Sequence, residues 1–341
     1  MHPSATNTLL EKVAEAFNLG SIQTVCPLGG TATPKWAVTT TQDRYVVRVR
    51  PGEFSTDEQI HFAHNALNRL AAAGLPVPRA LARTDATTTF SLDGRTYEVL
   101  SWLEGEPWSE GDPAAVKNLG VFLGRFHQLT AELVRDDTAS IRREDHPDAL
   151  LDCLEQLRSL PAKLGQSRQL AAIDALLQRG RQELETTLYP VLPRAVIHGD
   201  FHPGNVRFRG GKVAALYDFD YLAGQARVRD VVDAMMFFTA QRNHPFEPDA
   251  IHSLTQSFTP DFTATMELLT GYQSVLPLTD DEWRAMPLLL RSRWIQMRLR
   301  GSRKVPPPEQ LDFTLDGFFT VIGWLDEKGA DFFARLRSAS R

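Results

Sequence analysis

The chain has 341 residues, with 37 basic and 42 acidic side chains for a net charge of −5, and 43% of it is hydrophobic. That balance is ordinary for a globular protein, and without a basic tail or a basic excess it argues against a nucleic-acid partner. The length exceeds the usual single core of about 250 to 300 residues, so two lobes around a cleft are expected, and no stretch approaches the roughly 18 apolar residues of a membrane span.

In chain order, residues 1–18 form an amphipathic pattern with Leu9, Leu10, Val13 and Phe17 on one helix face. Three apolar runs follow at 25–28, 36–40 and 44–49, separated by Gly29-Gly30 and Gln42-Asp43, and predict three antiparallel strands. A helix is expected over 57–73, stopped by Gly74 and the prolines at 76 and 78. Residues 90–92 and 96–100, joined at Asp93-Gly94, complete a five-stranded sheet. Cys26 and Cys153 stand apart from each other and from any Cys/His cluster, so neither a zinc site nor a disulfide framework is expected and a reducing cytoplasm fits.

Beyond Asp112 the pattern turns helical. Asp112 caps a helix over 113–129 with Leu119, Phe122, Leu123 and Phe126 at helical spacing, and further helices are expected over 145–160 and 167–189. His127 falls at the end of the first, where helix termini favour histidine, so a structural role is preferred to a catalytic one. A helix opening at Arg229-Asp230 runs to Phe238, and the remainder divides into helices at 267–275, 280–303 and 311–337.

Between these helical stretches lie two short apolar runs that each deliver polar side chains at their ends. Ala195-Val196-Ile197 leads into His198-Gly199-Asp200-Phe201-His202-Pro203-Gly204-Asn205, and Ala214-Ala215-Leu216 leads into Tyr217-Asp218-Phe219-Asp220. Strands that end this way hold polar groups at a sheet rim. Phosphoryl transfer requires a carboxylate to accept the proton of the attacking hydroxyl, and an amide plus a second carboxylate to hold magnesium against a triphosphate. Asp200, Asn205 and Asp218 supply that set. Turn capping is the commoner job of such residues, but it does not by itself order His, Asp, Pro and Asn in this way.

The step from Asp200 to Asn205, with a second aspartate one hairpin later, is that of a protein-kinase catalytic loop. His198-Gly199-Asp200 in place of His-Arg-Asp, His202-Pro203 inside the loop, and Asp218-Phe219-Asp220 in place of Asp-Phe-Gly resemble the aminoglycoside phosphotransferase and choline kinase superfamily. The run Gly271 to Thr279, continuing to Leu288-Leu289-Leu290-Arg291, resembles the C-terminal helices of type II homoserine kinase-like proteins. The resemblance implies an α+β, bilobal protein-kinase-like fold. An N-terminal lobe (1–100) would hold the five-stranded antiparallel sheet and one helix, followed by a hinge (101–105). A mostly helical lobe (106–341) would carry the catalytic loop at 196–206 and the metal-binding strand at 214–220.

The same resemblance implies ATP and Mg2+ as cofactors. Asp200 would be catalytic, and Asn205 and Asp218 would hold the metal. Arg48 would replace the triphosphate-binding lysine, with Gly29 and Gly30 over the phosphates and the backbone of Ser101 and Leu103 on the adenine edge. His198, His202, Asp220 and Asp230 would support the site, Asp230 by tying its helix to the catalytic loop. The glutamate that such enzymes place on the first-lobe helix falls at Ala63, with Glu58 more than a turn earlier and His64 adjacent; without that pair, Arg48 would be positioned by the phosphates alone.

The expected reaction moves the γ-phosphoryl group of ATP onto a small-molecule hydroxyl. A polycationic aminoglycoside would call for an acidic acceptor pocket, whereas Arg291, Arg293, Arg298, Arg300, Arg303 and Lys304 make the late helix basic. Guanidinium groups suit carboxylates, which favours an amino acid or amino alcohol of homoserine type; a solvated basic helix face is the competing reading. Trp102, Trp108, Trp283 and Trp294 are core candidates before they are ligand-stacking ones. The alternatives are an antibiotic or sugar phosphotransferase, a stress-type Ser/Thr protein kinase, or a catalytically weak nucleotide-binding regulator. Against the protein kinase stands the short distance from Asp218 to the helix at Asp230, which leaves no room for a long peptide-binding segment.

Overall fold

The structure, a computed structural model, describes residues 3–29, 33–134, 143–247 and 250–340. The chain divides into two compact units, one formed by Met1–Trp108 with Asn205–Tyr221 and the other by Ser109–Gly204 with Leu222–Arg341.

The first unit opens with α1 (Pro3–Ala16), then β1 (Ile22–Leu28), β2 (Lys35–Thr40), β3 (Arg44–Val49), α2 (Asp57–Ala72), β4 (Phe90–Leu92) and β5 (Arg95–Ser101). The strands form one antiparallel sheet in the order β1-β2-β3-β5-β4. Side chains alternate across a strand, so Tyr45, Val47 and Val49 share one face of β3 while Arg48 and Arg50 share the other. The first face joins Leu10, Val13 and Ala14 of α1, and Phe17 just after it, in an apolar core with Trp36, Val38, Tyr97 and Val99. The second puts two guanidinium groups into the interior, Arg48 being 6% and Arg50 5% exposed. A capping box starts α2: the Thr56 hydroxyl accepts from the Gln59 N–H, and the Gln59 carbonyl oxygen accepts from the Thr56 N–H.

The hairpin formed by Val206–Arg209 and Lys212–Leu216 belongs to this unit. Glu106 and Phe208 exchange two backbone hydrogen bonds of 2.8 Å, and the Leu216 N–H donates to the Pro76 carbonyl at 3.0 Å. The division therefore differs from the sequence-based one, which assigns all of 106–341 to the second lobe. Backbone pairing across a hundred residues leaves no mark on composition.

The second unit holds α3 (Pro113–Thr130), α4 (Pro147–Arg158), α5 (Leu164–Gly180), α6 (Val228–Phe238), α7 (Ile251–Leu254), α8 (Phe262–Gln273), α9 (Asp280–Gly301), α10 (Gln310–Leu315), α11 (Phe318–Trp324) and α12 (Ala330–Ala339). A short antiparallel pair, Arg194–Ile197 with Ala223–Ala226, precedes and follows the segment from His198 to Asp220. Helices α3 and α8 cross at glycines: a Cβ on Gly120 would lie 2.1 Å from the Leu268 carbonyl oxygen, and one on Gly271 2.0 Å from that of Lys117. Every residue of α6 is buried, Arg229, Asp230 and Asp233 included. The single helix expected over 311–337 is interrupted once, where Asp316 turns extended with ψ 121° after α10; α11 runs on into α12 through a π-helical turn at Leu325–Gly329. Among the described residues no helix is long and apolar enough to cross a membrane.

Candidate active site

In the first unit the register of β3 against β5 places Arg48 directly opposite Glu98. Arg48 Nε lies 3.2 Å from Glu98 Oε1, its Nη1 lies 3.3 Å from Asp218 Oδ1, and its Nη2 donates to Asp220 Oδ2. Arg50 closes the cluster, with Nη1 2.8 Å from Glu98 Oε2 and both Nε and Nη2 donating to the Phe54 carbonyl. From α2, His64 puts Nε2 2.6 Å from Glu98 Oε2 and Nδ1 2.6 Å from the Thr88 hydroxyl. Arg48 is thus held by three carboxylates of its own chain, which corrects the expectation that phosphates alone would position it.

These neighbours set the charge states. Burial works against the Arg48 charge, but Asp220, Asp218 and Glu98 raise its pKa above the ordinary value. Burial likewise disfavours ionised Glu98, yet Arg48, His64 and Arg50 hold it well below the usual carboxylate range. Asp220 goes the other way. Burial pushes it up to about 6, with Asp218 and Glu98 adding to the rise and Arg48 opposing it. Its Oδ1 is buried without a hydrogen bond, 3.7 Å from Arg50 Nη2.

Asp218 has φ 66°, in the left-handed region that aspartate tolerates better than most residues, and strain of this kind concentrates at functional sites. Its side chain is 31% exposed, unlike its neighbours in the cluster. Asn205 stands beside it across the hairpin end, its carbonyl accepting from the Tyr217 N–H at 2.8 Å. The Tyr217 hydroxyl in turn accepts from the Leu103 N–H and donates to the Leu103 carbonyl, both at 2.8 Å. The Ser101 N–H donates to the Arg79 carbonyl at 2.9 Å. Gly29 follows the end of β1, and Gly30 lies outside the described residues.

In the second unit the strand ending at Ile197 turns at Gly199, whose φ of 79° a side chain would strain. The turn aims two successive backbone N–H groups, those of His198 and Gly199, at Asp230 Oδ2 and Oδ1, at 2.7 and 2.9 Å. His127 Nε2 lies 3.2 Å from Asp230 Oδ2, and its Nδ1 lies 3.0 Å from the Tyr272 hydroxyl. His127, Asp230 and Tyr272 are fully buried. Burial disfavours the Asp230 charge, but His127, His198 and the Gly199 N–H hold its pKa below the ordinary value. A chain of contacts therefore runs from α3 and α8 through α6 to the backbone of the motif.

Asp200 ends that chain. Its N–H donates to His198 Nδ1 at 3.3 Å, its Oδ2 lies 3.4 Å from His202 Nε2, and its Oδ1 lies 3.7 Å from Arg293 Nη2. Because His202 Nδ1 accepts from the Gly204 N–H at 3.1 Å, the ring proton sits on Nε2, facing Asp200. Burial would raise the Asp200 pKa, yet His202, Arg293 and His198 hold it far below the usual range, so the carboxylate is ionised and 32% exposed.

Arg293 is anchored by Asp233 at 2.5 Å and by Gln296 at 2.7 Å. The other basic residues of the late helix are spent on structure. Arg298 donates to the carbonyls of Thr314, Thr255, Phe313 and Asp316, while Arg291, Arg300 and Arg303 pair with Asp326, Glu144 and Gln156. Of the basic residues from 291 to 304, Arg293 is the one that approaches Asp200. Trp283 and Trp294 are core residues, and Trp102 lies under Arg44 with its Nε1 donating to Glu104.

Sequence reasoning missed Glu98, His64 and Asp233. A signal existed for Asp233: two aspartates three residues apart, with Arg229 the one other charged residue of a mostly apolar helix, must face buried partners. Glu98, inside the run Thr96 to Leu100, carried the same signal, but its partner depended on strand register.

A five-stranded antiparallel sheet, a mostly helical remainder and a carboxylate-bearing loop of this kind define a protein-kinase-like phosphotransferase of small molecules. The chain belongs to the phosphotransferase enzyme family (APH), whose profile matches residues 24–268. It is 26% identical over 318 residues to a homoserine kinase of Sinorhizobium medicae, covering 90% of this chain and 88% of that protein. Among solved structures it is similar in fold to a microcompartment-associated aminopropanol kinase, with a TM-score of 0.68 at 14% identity over 94% of this chain and 98% of that one. It is also similar to the amicoumacin kinase hAmiN in complex with AMP-PNP, Ca2+ and Ami, with a TM-score of 0.64 at 16% identity over 94% and 100% of the two chains.

Proposed function

We propose that the protein is an ATP- and Mg2+-dependent kinase that phosphorylates the hydroxyl of an amino acid or amino alcohol of homoserine type. The observation that carries the reading is the Asp200 carboxylate, ionised and held by His202 and Arg293. Asp200 orients the acceptor hydroxyl and accepts its proton as the phosphoryl group departs from the nucleotide. So acidic a carboxylate is a weak base in the ground state, and its contribution comes from position and from the charge it offers as the oxygen–hydrogen bond breaks. His202 and Arg293 fix its two oxygens, and Asp230 fixes the backbone from which it projects.

Asn205 and Asp218 would hold the metal. Both offer hard oxygen donors, and Asp218 keeps an exposed carboxylate beside buried neighbours. Two protein oxygens completed by phosphates and water suit magnesium. Magnesium supplies neutralisation of the triphosphate charge when bound. Arg48 and Gly29 would serve the phosphates; the backbone of Ser101 and Leu103, expected on the adenine edge, is instead engaged by the Arg79 carbonyl and the Tyr217 hydroxyl. Arg293 is engaged by Asp233, Gln296 and Asp200, so the support for an amino acid or amino alcohol acceptor comes from the relatives. The homoserine kinase relatives support the same class of acceptor.

The test is ATP consumption with magnesium across L-homoserine, aminopropanol, choline, hexosamines and aminoglycosides, with Asp200→Asn as control. Turnover of an amino acid or amino alcohol that falls by about 10^2 to 10^4 in the variant is the expected result. Preferred turnover of an aminoglycoside, or an unchanged rate in the variant, would overturn the reading.

A further inference from the structure

The triphosphate-binding cation proposed above, Arg48, is held by a glutamate from a different element than expected. The helix α2 carries alanine where the partner carboxylate was sought, and Ala63 is 4% exposed, packed in the core. The carboxylate comes instead from β5. Glu98 faces Arg48 across the strand pair and is 1% exposed. Its Oε1 lies 3.2 Å from Arg48 Nε as an ion pair, without a hydrogen bond from that nitrogen, while the Nη1 and Nη2 fork is directed at Asp218 and Asp220. Glu98 is itself fixed: Arg50 and His64 both hold its Oε2, at 2.8 and 2.6 Å, and His64 is fixed by Thr88. The contribution of α2 is therefore His64, next to Ala63, acting through Glu98.

We propose that Glu98 is the positioning residue for Arg48 in binding the nucleotide phosphates, with His64 locking the Glu98 carboxylate in place. The guanidinium is a rigid plane that turns as a whole about the Cδ–Nε bond, so a carboxylate fixed beside Nε biases where the two terminal nitrogens point. The arrangement couples α2 to the phosphate-binding end of β3 without a direct helix-to-arginine ion pair. It rests on the kinase reading, because the phosphates are what Arg48 is positioned to meet.

The experiment is calorimetric binding of MgATP to wild type, Glu98→Gln, Arg48→Lys and the double variant, together with steady-state kinetics on the best acceptor. Glu98→Gln should weaken MgATP binding by about tenfold, with the acceptor KM changed less than about twofold. In the Arg48→Lys background the same substitution should add less than about twofold, because the residue it positions is gone. A general loosening of the sheet would raise both constants and multiply with Arg48→Lys, and that outcome would overturn the inference, as would unchanged affinity in Glu98→Gln. Glu98→Asp, which keeps the charge but withdraws it by one methylene, serves if the glutamine variant does not fold, and should weaken nucleotide binding selectively as well. Wild-type protein that binds no MgATP would overturn the kinase reading and this inference together; wild type that binds while the Glu98 variants bind equally well would overturn only the role of Glu98.

Discussion

Three aspartates of the motif region sit in environments that separate their charge states. Asp200 and Asp230 are held below the ordinary carboxylate range by histidine, arginine and backbone N–H groups, whereas Asp220, although it touches Arg48, is raised because burial and two neighbouring carboxylates outweigh that contact. Asp218, the most exposed of the Arg48 cluster, is the one left accessible to an incoming cation. The raised Asp220 has a measurable consequence for stability. A carboxyl whose folded pKa lies above its unfolded value binds the proton more tightly when folded, so its contribution is present below the ordinary value of 3.8 and is lost as pH rises through about 6. Between pH 5 and pH 8 wild type should lose about 1 kcal/mol from this group. Asp220→Asn does not titrate, so the unfolding free energy of the variant relative to wild type should rise by about that amount over the same interval. Urea denaturation at the two pH values measures the difference. A difference that stays flat, or moves in the opposite direction, would show that Asp220 is ionised in the native state throughout.

The α3–α8 crossing positions the motif from behind, since His127 and Tyr272 come from those two helices and meet Asp230. Gly120→Ala would drive a methyl group to 2.1 Å from the Leu268 carbonyl, and backbone cannot step aside as a flexible side chain can. The expected loss is about 3 kcal/mol of stability, read by denaturation, with Gly120→Ser at least as damaging. A loss below about 1 kcal/mol would mean that the helices separate without strain. Nothing local in the sequence marks these glycines, because a crossing point belongs to two elements at once. The strands, by contrast, were visible wherever alternation was clear, as with Tyr45, Val47 and Val49 against Arg48 and Arg50. What stayed hidden was register: Glu98 meets Arg48 because of which β5 residue lies opposite, and pairing fixes that rather than any local signal. Asp200, Asn205 and Asp218 stand out together in the sequence because the proposed chemistry demands particular side chains at short spacing. The break after α10 could not, since the carbonyls of Phe313, Thr314 and Asp316 are taken by Arg298 from a helix earlier in the chain.

At the scale of the whole molecule, the nucleotide and its metal should act as one stabilising ligand, because Arg48, Asp218, Asp220 and Glu98 form a single charge cluster that joins β3, β5 and the segment after the 206–216 hairpin. The cluster carries three carboxylates against Arg48 and Arg50, so an added cation is electrostatically favoured there and a bare triphosphate is not. MgATP at about a hundred times its Kd should therefore add about 2.7 kcal/mol and raise the Tm by about 4 °C, while ATP with a chelator should add much less. Asp218→Asn tests the origin of that difference without disturbing the backbone, since asparagine also tolerates the left-handed conformation seen at φ 66°. In that variant the melting curves with MgATP and with chelated ATP should nearly coincide. A metal-dependent rise equal to that of wild type would remove Asp218 from the metal site, and would leave the exposed carboxylate beside Arg48 as a partner of that arginine alone.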